Sequence, residues 1–329
     1  MEQKVWKMEG MVLLCSILLI LIPMVLSAQE YPTKPINLLV VYAPGGTVDV
    51  SSRVLVSKAE KFLGQPIIIS NKGGGGGSVA LATAKNEKPD GYHLVACTSV
   101  GLTYYPTFQS LPYTHHDYVP VLNFCEPRSG LVVKADSPWK TLKDLVEYAR
   151  KNPGKVTFGS VAVNSPPHIV MEFIAKKEGI RWTHIPFSGG STNVIAVLGG
   201  HTTAMAGATE WVPHVKEGTL RLLAAFSEAR IDGFSDIPTV RELGYDISSS
   251  ALFMIAAPKG TPPAIIKRLD EAFRKAMGDP DFIQAIEKME MKVTYRNSDD
   301  MQKFLNEVVH NLKELIVDLN KKSGEPEKK

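Results

Sequence analysis

Small-residue turns join strand-like segments to helix-like segments at two distant places in this chain, and this pattern limits the fold more than any other feature. One turn is Ala43-Pro44-Gly45-Gly46-Thr47, and the other runs from Gly159-Ser160 to Asn164-Ser165. Each turn follows an apolar run of strand length and precedes a segment of helical period, which is typical of strand–helix–strand units. The pattern predicts two α/β units whose turns face each other.

The strand-like and helix-like segments fall into two sets. The expected strands of the first set are 36–41, 67–69 and 93–97, and those of the second are 131–133, 156–158, 184–185, 203–206 and 220–225. Helical segments between them predict an α/β fold in which each set builds a mainly parallel sheet flanked by helices. A strand at 251–256 and two later helices are not placed by this pattern. The apolar stripe of the last helix, after Ser298, predicts packing against the first set.

The first 28 residues have the pattern of an export signal. Residues 11–26 are almost uninterruptedly apolar, Lys4 and Lys7 precede them, and Ser27-Ala28 ends the segment. The run is shorter than the roughly 18–20 apolar residues that span a bilayer, so cleavage near Ala28 and a periplasmic location are expected. Because Glu2 and Glu9 dilute the positive charge, an uncleaved anchor stays open as an alternative.

Charge and cysteine content exclude some classes of function. The chain has 37 Lys and Arg against 34 Asp and Glu, a net charge of +3, without a dense basic stripe. Nucleic acid is therefore not an expected partner. No second long apolar span follows residue 28, so the mature chain is expected to be soluble. Cys97 and Cys125 either form a disulfide or are two separate buried thiols, and the sequence leaves both open.

The turns themselves suggest an anion. Backbone N–H groups at the start of a helix have no partner in the helix and lie at the positive end of its dipole. Gly45, Gly46 and Thr47 are candidate donors of this kind, with Asp49 beside them. Ser160, Asn164 and Ser165 add side-chain donors at the second turn. A third turn of the same character is Phe187-Ser188-Gly189-Gly190-Ser191, and loops of this kind gather at the carboxyl ends of parallel strands.

Other motifs give weaker indications. The spacing Gly75-x-Gly77-x-x-Ala80 matches a dinucleotide pattern, but a run of glycines matches many patterns by accident. His115-His116-Asp117 has metal-ligand residue types, and a solvated loop is the favoured interpretation. His168 faces either the cleft or the interior of its unit. Phe187 and Trp211 either line the ligand or fill the core. The chain has no hydrolase, metalloprotease or P-loop motif, and no enzyme, metal or cofactor is expected.

The order of the motifs supplies a resemblance. The residues that carry it are Tyr31-Pro32-Thr33-Lys34-Pro35-Ile36, Ala43 to Gly46, Leu63-Gly64-Gln65-Pro66, Asn71-Lys72 with its glycines, Pro89-Asp90-Gly91-Tyr92, Asn152-Pro153-Gly154-Lys155, Phe158-Gly159-Ser160, Pro186-Phe187 to Gly190, Leu198-Gly199-Gly200 and Ile237-Pro238-Thr239. This series resembles the substrate-binding proteins of tripartite tricarboxylate transporters, often called Bug-type receptors. The match runs from Tyr31 to the last helix.

The resemblance implies a two-lobed periplasmic-binding-protein type II architecture. One lobe would comprise 29–128 and 250–329, including the strand near 251 and the C-terminal helices, and the other 129–249. The family's ligand carboxylate is held by residues that correspond here to Pro44, Gly45, Gly46, Thr47, Gly159, Ser160, Asn164, Ser165 and His168. Residues 188–191 would shape the distal side, and Thr98 and Ser99 are weaker candidates. Many relatives carry an aspartate near 203–207, which is absent here, and Trp211 would suit an aromatic or bulkier acid.

The expected function is that of a receptor that binds a small carboxylic acid between two lobes. It would deliver the acid to membrane transporter subunits, and it is expected to be monomeric. One alternative is an exported hydrolase or transferase that uses Ser160 or Ser165 with His168. No orienting acid completes such a site at a recognisable position. A sensor subunit for a signalling partner is a second alternative.

Overall fold

The computed structural model describes residues 31–161, 163–187, 189–249 and 251–323. The predicted export signal, residues 1–28, lies outside these ranges, and so does the choice between cleavage and anchoring. The described residues from Lys34 onward form one compact unit that contains two β-sheets. Within the described ranges, no helix combines the length and the apolar character that crossing a membrane requires.

The first sheet has six strands. They are β1 Ile36–Val40, β2 Ile67–Asn71, β3 His93–Thr98, β4 Tyr118–Pro127, β10 Phe253–Pro258 and β11 Met291–Arg296, in the spatial order β11-β4-β10-β3-β1-β2. β1 pairs in parallel with β2 and β3, whereas β10 and β11 pair antiparallel with their neighbours. The strand that the sequence pattern leaves unplaced is therefore β10, and it lies between β3 and β4.

The second sheet has five strands. They are β5 Gly130–Lys134, β6 Thr157–Ser160, β7 Thr183–Pro186, β8 Ala204–Gly207 and β9 Leu220–Ala225, in the spatial order β7-β6-β8-β5-β9. β6 pairs in parallel with β7 and β8, and β5 pairs antiparallel with β8 and β9. The α/β class is confirmed, but both sheets are mixed rather than mainly parallel, because an apolar run indicates a strand and not its direction.

Helices cover both sheets. Their bounds are α1 Thr47–Leu63, α2 Ser78–Ala84, α3 Ser99–Leu102, α4 Tyr104–Phe108, α5 Leu142–Lys151, α6 Pro166–Glu178, α7 Gly190–Leu198, α8 Val212–Lys216, α9 Pro263–Met277, α10 Pro280–Lys288 and α11 Ser298–Ser323. Short 3₁₀ helices lie at Gly75–Gly77, His115–Asp117 and Thr209–Trp211. Each of the three turns predicted to bind a ligand thus opens a helix: α1, α6 or α7.

Local chemistry explains where the helices of the site begin and end. α1 ends at Gly64, whose φ of 72° is readily adopted only by glycine and whose N–H bonds to the carbonyl of Glu60. α6 begins with Pro166-Pro167, where the missing N–H groups cost nothing, and it ends at Gly179 with φ 63°. These residues fix where α1 ends and where α6 begins and ends.

The long C-terminal helix α11 packs on the first sheet, as its apolar stripe predicts. Met301, Phe304 and Leu305 are buried in one cluster with Val95 of β3 and Met254 of β10. The core of the second sheet is separate and includes Phe158, Trp182 and Leu131. Each sheet therefore buries its own apolar faces.

The two cysteines are free thiols in the first sheet. Cys97 lies on β3 and Cys125 on β4, and both side chains are fully buried. β10 runs between these strands, with Met254 opposite Cys97 and Phe253 opposite Cys125. Burial raises the pKa of Cys97 to about 12 and that of Cys125 well above its ordinary value. Of the two possibilities that the sequence leaves open, the structure shows separate buried thiols.

The chain passes between the sheets twice, and the two connections are bonded to each other. The first connection follows β4, and the second follows β9. Ser129 and Ser249 are both buried, with their hydroxyl oxygens 3.0 Å apart. The N–H of Phe226 donates to the carbonyl of Ser129, and the N–H of Ser249 donates to the carbonyl of Phe226. The division into two lobes stays a prediction, but the two sheets are joined through this bonded pair of connections.

Candidate ligand-binding site

The first predicted turn follows β1 and is organised by a buried carboxylate. Asp49 is 2% exposed. Its Oδ2 accepts the N–H of Gly45 at 2.9 Å, and its Oδ1 accepts from Arg53 Nε and Asn71 Nδ2, each at 2.9 Å. Gly45 adopts a φ of 79°, which permits this tight return toward α1. Asp49 therefore shapes the turn from inside.

The charge of Asp49 is stabilised by its partners. Burial by itself raises the pKa of this carboxyl group, but the hydrogen bonds from Arg53, Gly45 and Asn71 together hold the pKa below its ordinary value. The interpretation of Gly45 as a ligand donor needs correction for this conformation, because its N–H already bonds to Asp49. Pro44, Gly46 and Thr47 are exposed, so the open first turn of α1 begins at Thr47.

The ends of β1, β2 and β3 meet beside this turn, and glycines permit the close approach. A Cβ on Gly73 would lie 3.3 Å from the Ala43 nitrogen, one on Gly77 would lie 2.7 Å from Val41 Cγ2, and one on Gly76 would lie 2.3 Å from the Tyr105 ring. The glycine run thus has a packing role in this fold, which explains its composition without a dinucleotide.

Thr98 and Ser99, the weaker candidates, are buried and engaged. Thr98 Oγ1 lies 2.8 Å from the Tyr42 hydroxyl oxygen and accepts the N–H of Gly101 at the start of α3. The N–H of Ser99 donates to the Leu252 carbonyl, and Ser99 Oγ accepts the N–H of Leu252. Both residues therefore position the chain at the end of β3 in this conformation.

The second predicted turn follows β6 and is held by neutral groups. Ser160 is fully buried, and its Oγ lies 2.8 Å from His184 Nε2 and 3.2 Å from Ser165 Oγ. Asn164 adopts a φ of 61°, and its N–H donates to His168 Nδ1 at 3.1 Å. The left-handed backbone at Asn164 is thus tied to the first turn of α6.

The rings of His168 and His184 are in contact beneath this turn, tilted by 47° to each other. Their ring centroids are 4.1 Å apart, and both rings contact Phe158. Burial, with a smaller contribution from His184, lowers the pKa of His168 to about 4, and burial lowers the pKa of His184 as well. His168 is therefore neutral at neutral pH with Nδ1 unprotonated, which is the form that accepts the Asn164 N–H. His168 supports the turn from the interior, one of the two placements that the sequence leaves open.

The pairing of serine and histidine differs from the enzyme alternative. The structure pairs Ser160 with His184, whereas the alternative uses His168. Ser160 has no exposed surface from which a hydroxyl could attack a substrate. Sequence reasoning did not identify His184, although Phe158 and His184 are paired in register on β6 and β7.

The third turn leads from β7 into α7. The N–H of Phe187 donates to the Ser160 carbonyl at 2.8 Å, so this turn is directly bonded to the second. Gly189 is the extended residue before α7, Gly190 is the first helical residue, and Ser191 is exposed. Ser188 lies outside the described residues. A Cβ on Gly159 would meet Asn193 Oδ1 at 1.9 Å and the Phe187 ring at 2.7 Å, so glycine is required there.

Trp211 lies in the core. Its side chain is fully buried, its Nε1 donates to the Gly207 carbonyl at 3.3 Å, and its ring contacts Phe234. The expectation that Trp211 lines the ligand therefore needs correction, because the indole packs in an apolar core cluster and its N–H is already bonded. Its neighbour Glu210 is exposed instead, and its carboxylate covers Gly190 at the start of α7.

An apolar contact connects the sites at the two sheets. Val100 of α3 and Tyr104 of α4 are buried in one cluster with Ile169 of α6 and Leu312 of α11. Val100 lies two residues after Thr98, and Ile169 lies four residues after Ser165. The carboxyl ends of β3 and β6 thus lie beside a shared contact, which is the arrangement expected of two loop clusters around one ligand.

His115-His116-Asp117 forms a capped 3₁₀ helix. The Asp117 carboxylate accepts the N–H of Thr114 at 2.8 Å, and His115 Nε2 lies 3.0 Å from Asn306 Oδ1. In the described ranges, no group of three His, Cys, Asp or Glu side chains is arranged to hold a metal ion.

Two mixed sheets joined twice, with small-residue turns at the carboxyl ends of their parallel strands, define a solute-binding protein of the periplasmic-binding-protein fold. The model of the TctC family, described as tripartite tricarboxylate transporter family receptor, matches residues 51–321. This chain belongs to that family, which confirms the resemblance seen in the sequence. The family consists of solute receptors and not of enzymes, so the hydrolase or transferase alternative does not apply.

Individual relatives agree with this assignment. The chain is 39% identical over 291 residues to the Cupriavidus necator "UPF0065 protein in gbd 5'region", covering 88% of each chain. A crystal structure of a TctC solute-binding protein from Polaromonas, without ligand, is 30% identical with a TM-score of 0.80 and covers 88% of this chain and 99% of the other. The malate-bound structure of MatC from Rhodopseudomonas palustris shares the fold, with 23% identity, a TM-score of 0.71 and coverage of 87% and 100%.

Proposed function

We propose that this protein is a periplasmic receptor that captures a small carboxylic acid and delivers it to the membrane subunits of a tripartite tricarboxylate transporter. The observation that carries the proposal is the pair of turns that open α1 and α6, linked through the apolar contact between Val100, Tyr104 and Ile169. The family description supports a carboxylate as ligand. MatC, which shares the fold, has malate bound, and malate is a small carboxylic acid.

The proposed ligand contacts are those groups near the turns that are not used to hold the fold. The N–H groups at the start of α1, from Thr47 onward, would hold one carboxylate. Asn164, with its left-handed backbone, and Phe187, which is partly exposed, would contact the ligand from the second sheet. Asp49, Ser160 and His168 position these groups rather than bind the ligand themselves.

The proposed motion is closure of two lobes, 29–128 with 250–329 and 129–249, around the ligand. The bonded connections at Ser129 and Ser249 would serve as the hinge. Ligand binding stabilises the closed state to the extent that the ligand binds it more tightly than the open state. We expect one copy of the chain to suffice, and light scattering on the purified protein would test this.

Thermal unfolding of the purified protein with a panel of acids tests the function. Mono-, di- and tricarboxylic acids and aromatic acids form the panel, with inorganic phosphate and sugars as controls. A true ligand is expected to produce a saturable stabilisation of about 2.7 kcal/mol at a hundredfold excess over its dissociation constant. Protein unfolded and refolded before the assay excludes masking by a ligand that co-purifies. If no carboxylate shifts the midpoint under these conditions, the proposed ligand class is wrong.

A further inference from the structure

Two polar side chains beside the start of α7 have no partner among the described residues. Asn193 is fully buried, and neither its Oδ1 nor its Nδ2 has a hydrogen-bond partner in that part of the chain. Glu210 is exposed, and across the same ranges no Lys, Arg or His side chain pairs with its carboxylate. Buried amides in native proteins are almost always bonded to protein, water or ligand. Asn193 is therefore a buried amide whose hydrogen-bond partner is not supplied by the described residues.

Both side chains are directed at the glycines of the predicted site. Asn193 Oδ1 lies 1.9 Å from the position that a Cβ on Gly159 would occupy, and Gly159 precedes Ser160 at the end of β6. The Glu210 carboxylate atoms lie 2.2–2.6 Å from the position of a Cβ on Gly190. Gly190 and Asn193 are three residues apart in α7, so they share one face of its first turn. The amide and the carboxylate thus flank the same end of α7.

The charges at this end of α7 determine which chemical group of a ligand can bind there. The first turn of a helix favours an anion, and Glu210 already places a carboxylate there. An ionised carboxylate only accepts hydrogen bonds, whereas an amide both donates and accepts. A second carboxylate from a ligand would lie beside the negative charge of Glu210, and like charges in contact oppose binding. A hydroxyl group can donate to the Glu210 carboxylate and accept from Asn193 Nδ2, and an ammonium group can donate both to the Glu210 carboxylate and to Asn193 Oδ1.

We propose that Asn193 and Glu210 form a distal recognition pair that selects acids carrying a hydrogen-bond donor, a hydroxyl or an ammonium group, at the end opposite the bound carboxylate. This inference rests on the proposed function and names the substrate class within it. The ligand is then a hydroxy or amino acid in the broad chemical sense, and not an unsubstituted dicarboxylate. Neither residue stands among the positions that the sequence pattern singled out.

Calorimetric titration of the purified protein with a matched series tests the selection. Pentanoate, 5-hydroxypentanoate, 5-aminopentanoate and glutarate differ only in the distal group, and shorter and longer homologues find the best chain length. At that length, the acid with a hydroxyl or ammonium group is expected to bind at least about tenfold more tightly than those with a methyl or carboxylate group. The hydroxyl and ammonium arms show which donor is preferred.

Variants connect this preference to the two side chains. Glu210→Gln is expected to reduce the discrimination against glutarate by about tenfold, because the charge is removed from an exposed side chain that the fold does not need. Asn193→Leu is expected to weaken binding of the preferred acid about tenfold while raising the melting temperature without ligand, because a buried unbonded amide is replaced by an apolar group of similar size. Asn193→Ala serves as the second variant at this position if the leucine variant does not fold. Glu217→Gln, at another exposed carboxylate, is the charge-matched control and should leave the series unchanged.

The outcomes separate this inference from the function on which it rests. If wild-type protein binds acids of the series equally whatever their distal group, the distal pair is wrong and the carboxylate receptor stands. The same conclusion follows if Glu210→Gln leaves the ratio between the hydroxy acid and glutarate unchanged. If wild-type protein binds no acid of any series or panel, the proposed function itself fails, and the distal pair fails with it.

Discussion

The turns that open α1 and α6 are each held by a side chain that accepts a backbone N–H. That acceptor is charged in the first turn and neutral in the second. At the first, an ionised Asp49 accepts three hydrogen bonds, and its partners hold its pKa below the ordinary value. At the second, neutral His168 accepts the Asn164 N–H, and burial lowers the histidine pKa to about 4. Acid therefore affects the two turns differently, because the second loses its acceptor as soon as His168 gains a proton.

The largest expected effect comes from removing the buried carboxylate. Asp49→Ala leaves the N–H of Gly45 and the amide of Asn71 without their acceptor, and we expect a loss of about 2–4 kcal/mol in the free energy of unfolding. Denaturant unfolding measures it. Arg53→Ala is the control, and because the Arg53 side chain is 48% exposed, its removal should cost less than about 1 kcal/mol. Equal losses in both variants would mean that Asp49 acts only through its ion pair.

The next effect is a dependence on pH confined to the second turn. The ordinary histidine pKa of 6.5 applies to the unfolded chain, and the folded value is about 4, so the unfolded chain binds the proton first as the pH falls. Stability from His168 is complete above pH 6.5 and is lost progressively toward pH 4, by up to about 3 kcal/mol.

The variant His168→Asn separates the role of residue 168 as a hydrogen-bond acceptor from the titration of the histidine. Its Oδ1 can take the place of Nδ1 as acceptor for Asn164, and it does not titrate. Unfolding measured from pH 7 to pH 4 should show a shallower slope than the wild type, with His184 supplying part of the slope that remains. His201→Asn, at an exposed histidine, is the control for replacing a histidine by asparagine. A His168→Asn curve parallel to that of the wild type would contradict the neutral-histidine account.

A smaller expected effect distinguishes the backbone strain of an alanine at the first turn from a role of that turn in ligand binding. Gly45 and Gly154 have φ values of 79° and 77°, and a Cβ on either would meet no atom within 4 Å. Replacing either glycine by alanine should therefore cost about 1–2 kcal/mol from the left-handed backbone. Only Gly45→Ala is expected to weaken binding of the acid identified in the thermal panel. Equal affinity in both variants would remove the first turn from the proposed site.

The smallest expected effect tests whether burial or charge accounts for the contribution of Asp49 to the free energy of unfolding. Asp232 pairs with Lys292 at 2.7 Å, but the two side chains are 67% and 49% exposed. Asp232→Asn should cost less than about 1 kcal/mol, because solvent screens an exposed pair. A larger loss, measured by the same denaturant unfolding, would indicate that charge pairs contribute more to this fold than burial does.

Much of the fold follows from the sequence because the apolar runs are short and regularly interrupted. β1, β3, β8 and β9 were expected within one residue of their observed bounds, and β6 within two. β4 was missed because it contains Pro120 and Pro127 and its apolar and polar residues do not alternate. β11 was missed because its residues are mostly polar. The antiparallel direction of β10 depends on pairing with residues more than a hundred positions away, which local pattern does not contain.

The site was predictable in its backbone and less so in its side chains. The turns at Gly45 and Ser160 were found because glycine and serine have known roles where helices start. His184 and the proposed distal pair, Asn193 and Glu210, are not indicated by the sequence, because each is recognised only by its contact with a residue elsewhere in the chain. Trp211 was misassigned for the same reason, since nothing in its local sequence tells a buried indole from an exposed one.

The placement of β10 between the cysteine-bearing strands has a consequence for the order of assembly. Strand spacing of about 4.8 Å puts Cys97 and Cys125 about 10 Å apart in the finished sheet, beyond the reach of a disulfide. The separating strand comes later in the chain than the two strands it separates, since residues 253–258 follow both cysteines by more than a hundred positions. Until it inserts, β3 and β4 have free edges and their thiols are exposed to oxidants. In an oxidising compartment, insertion of β10 between β3 and β4 therefore competes with formation of a non-native disulfide between Cys97 and Cys125.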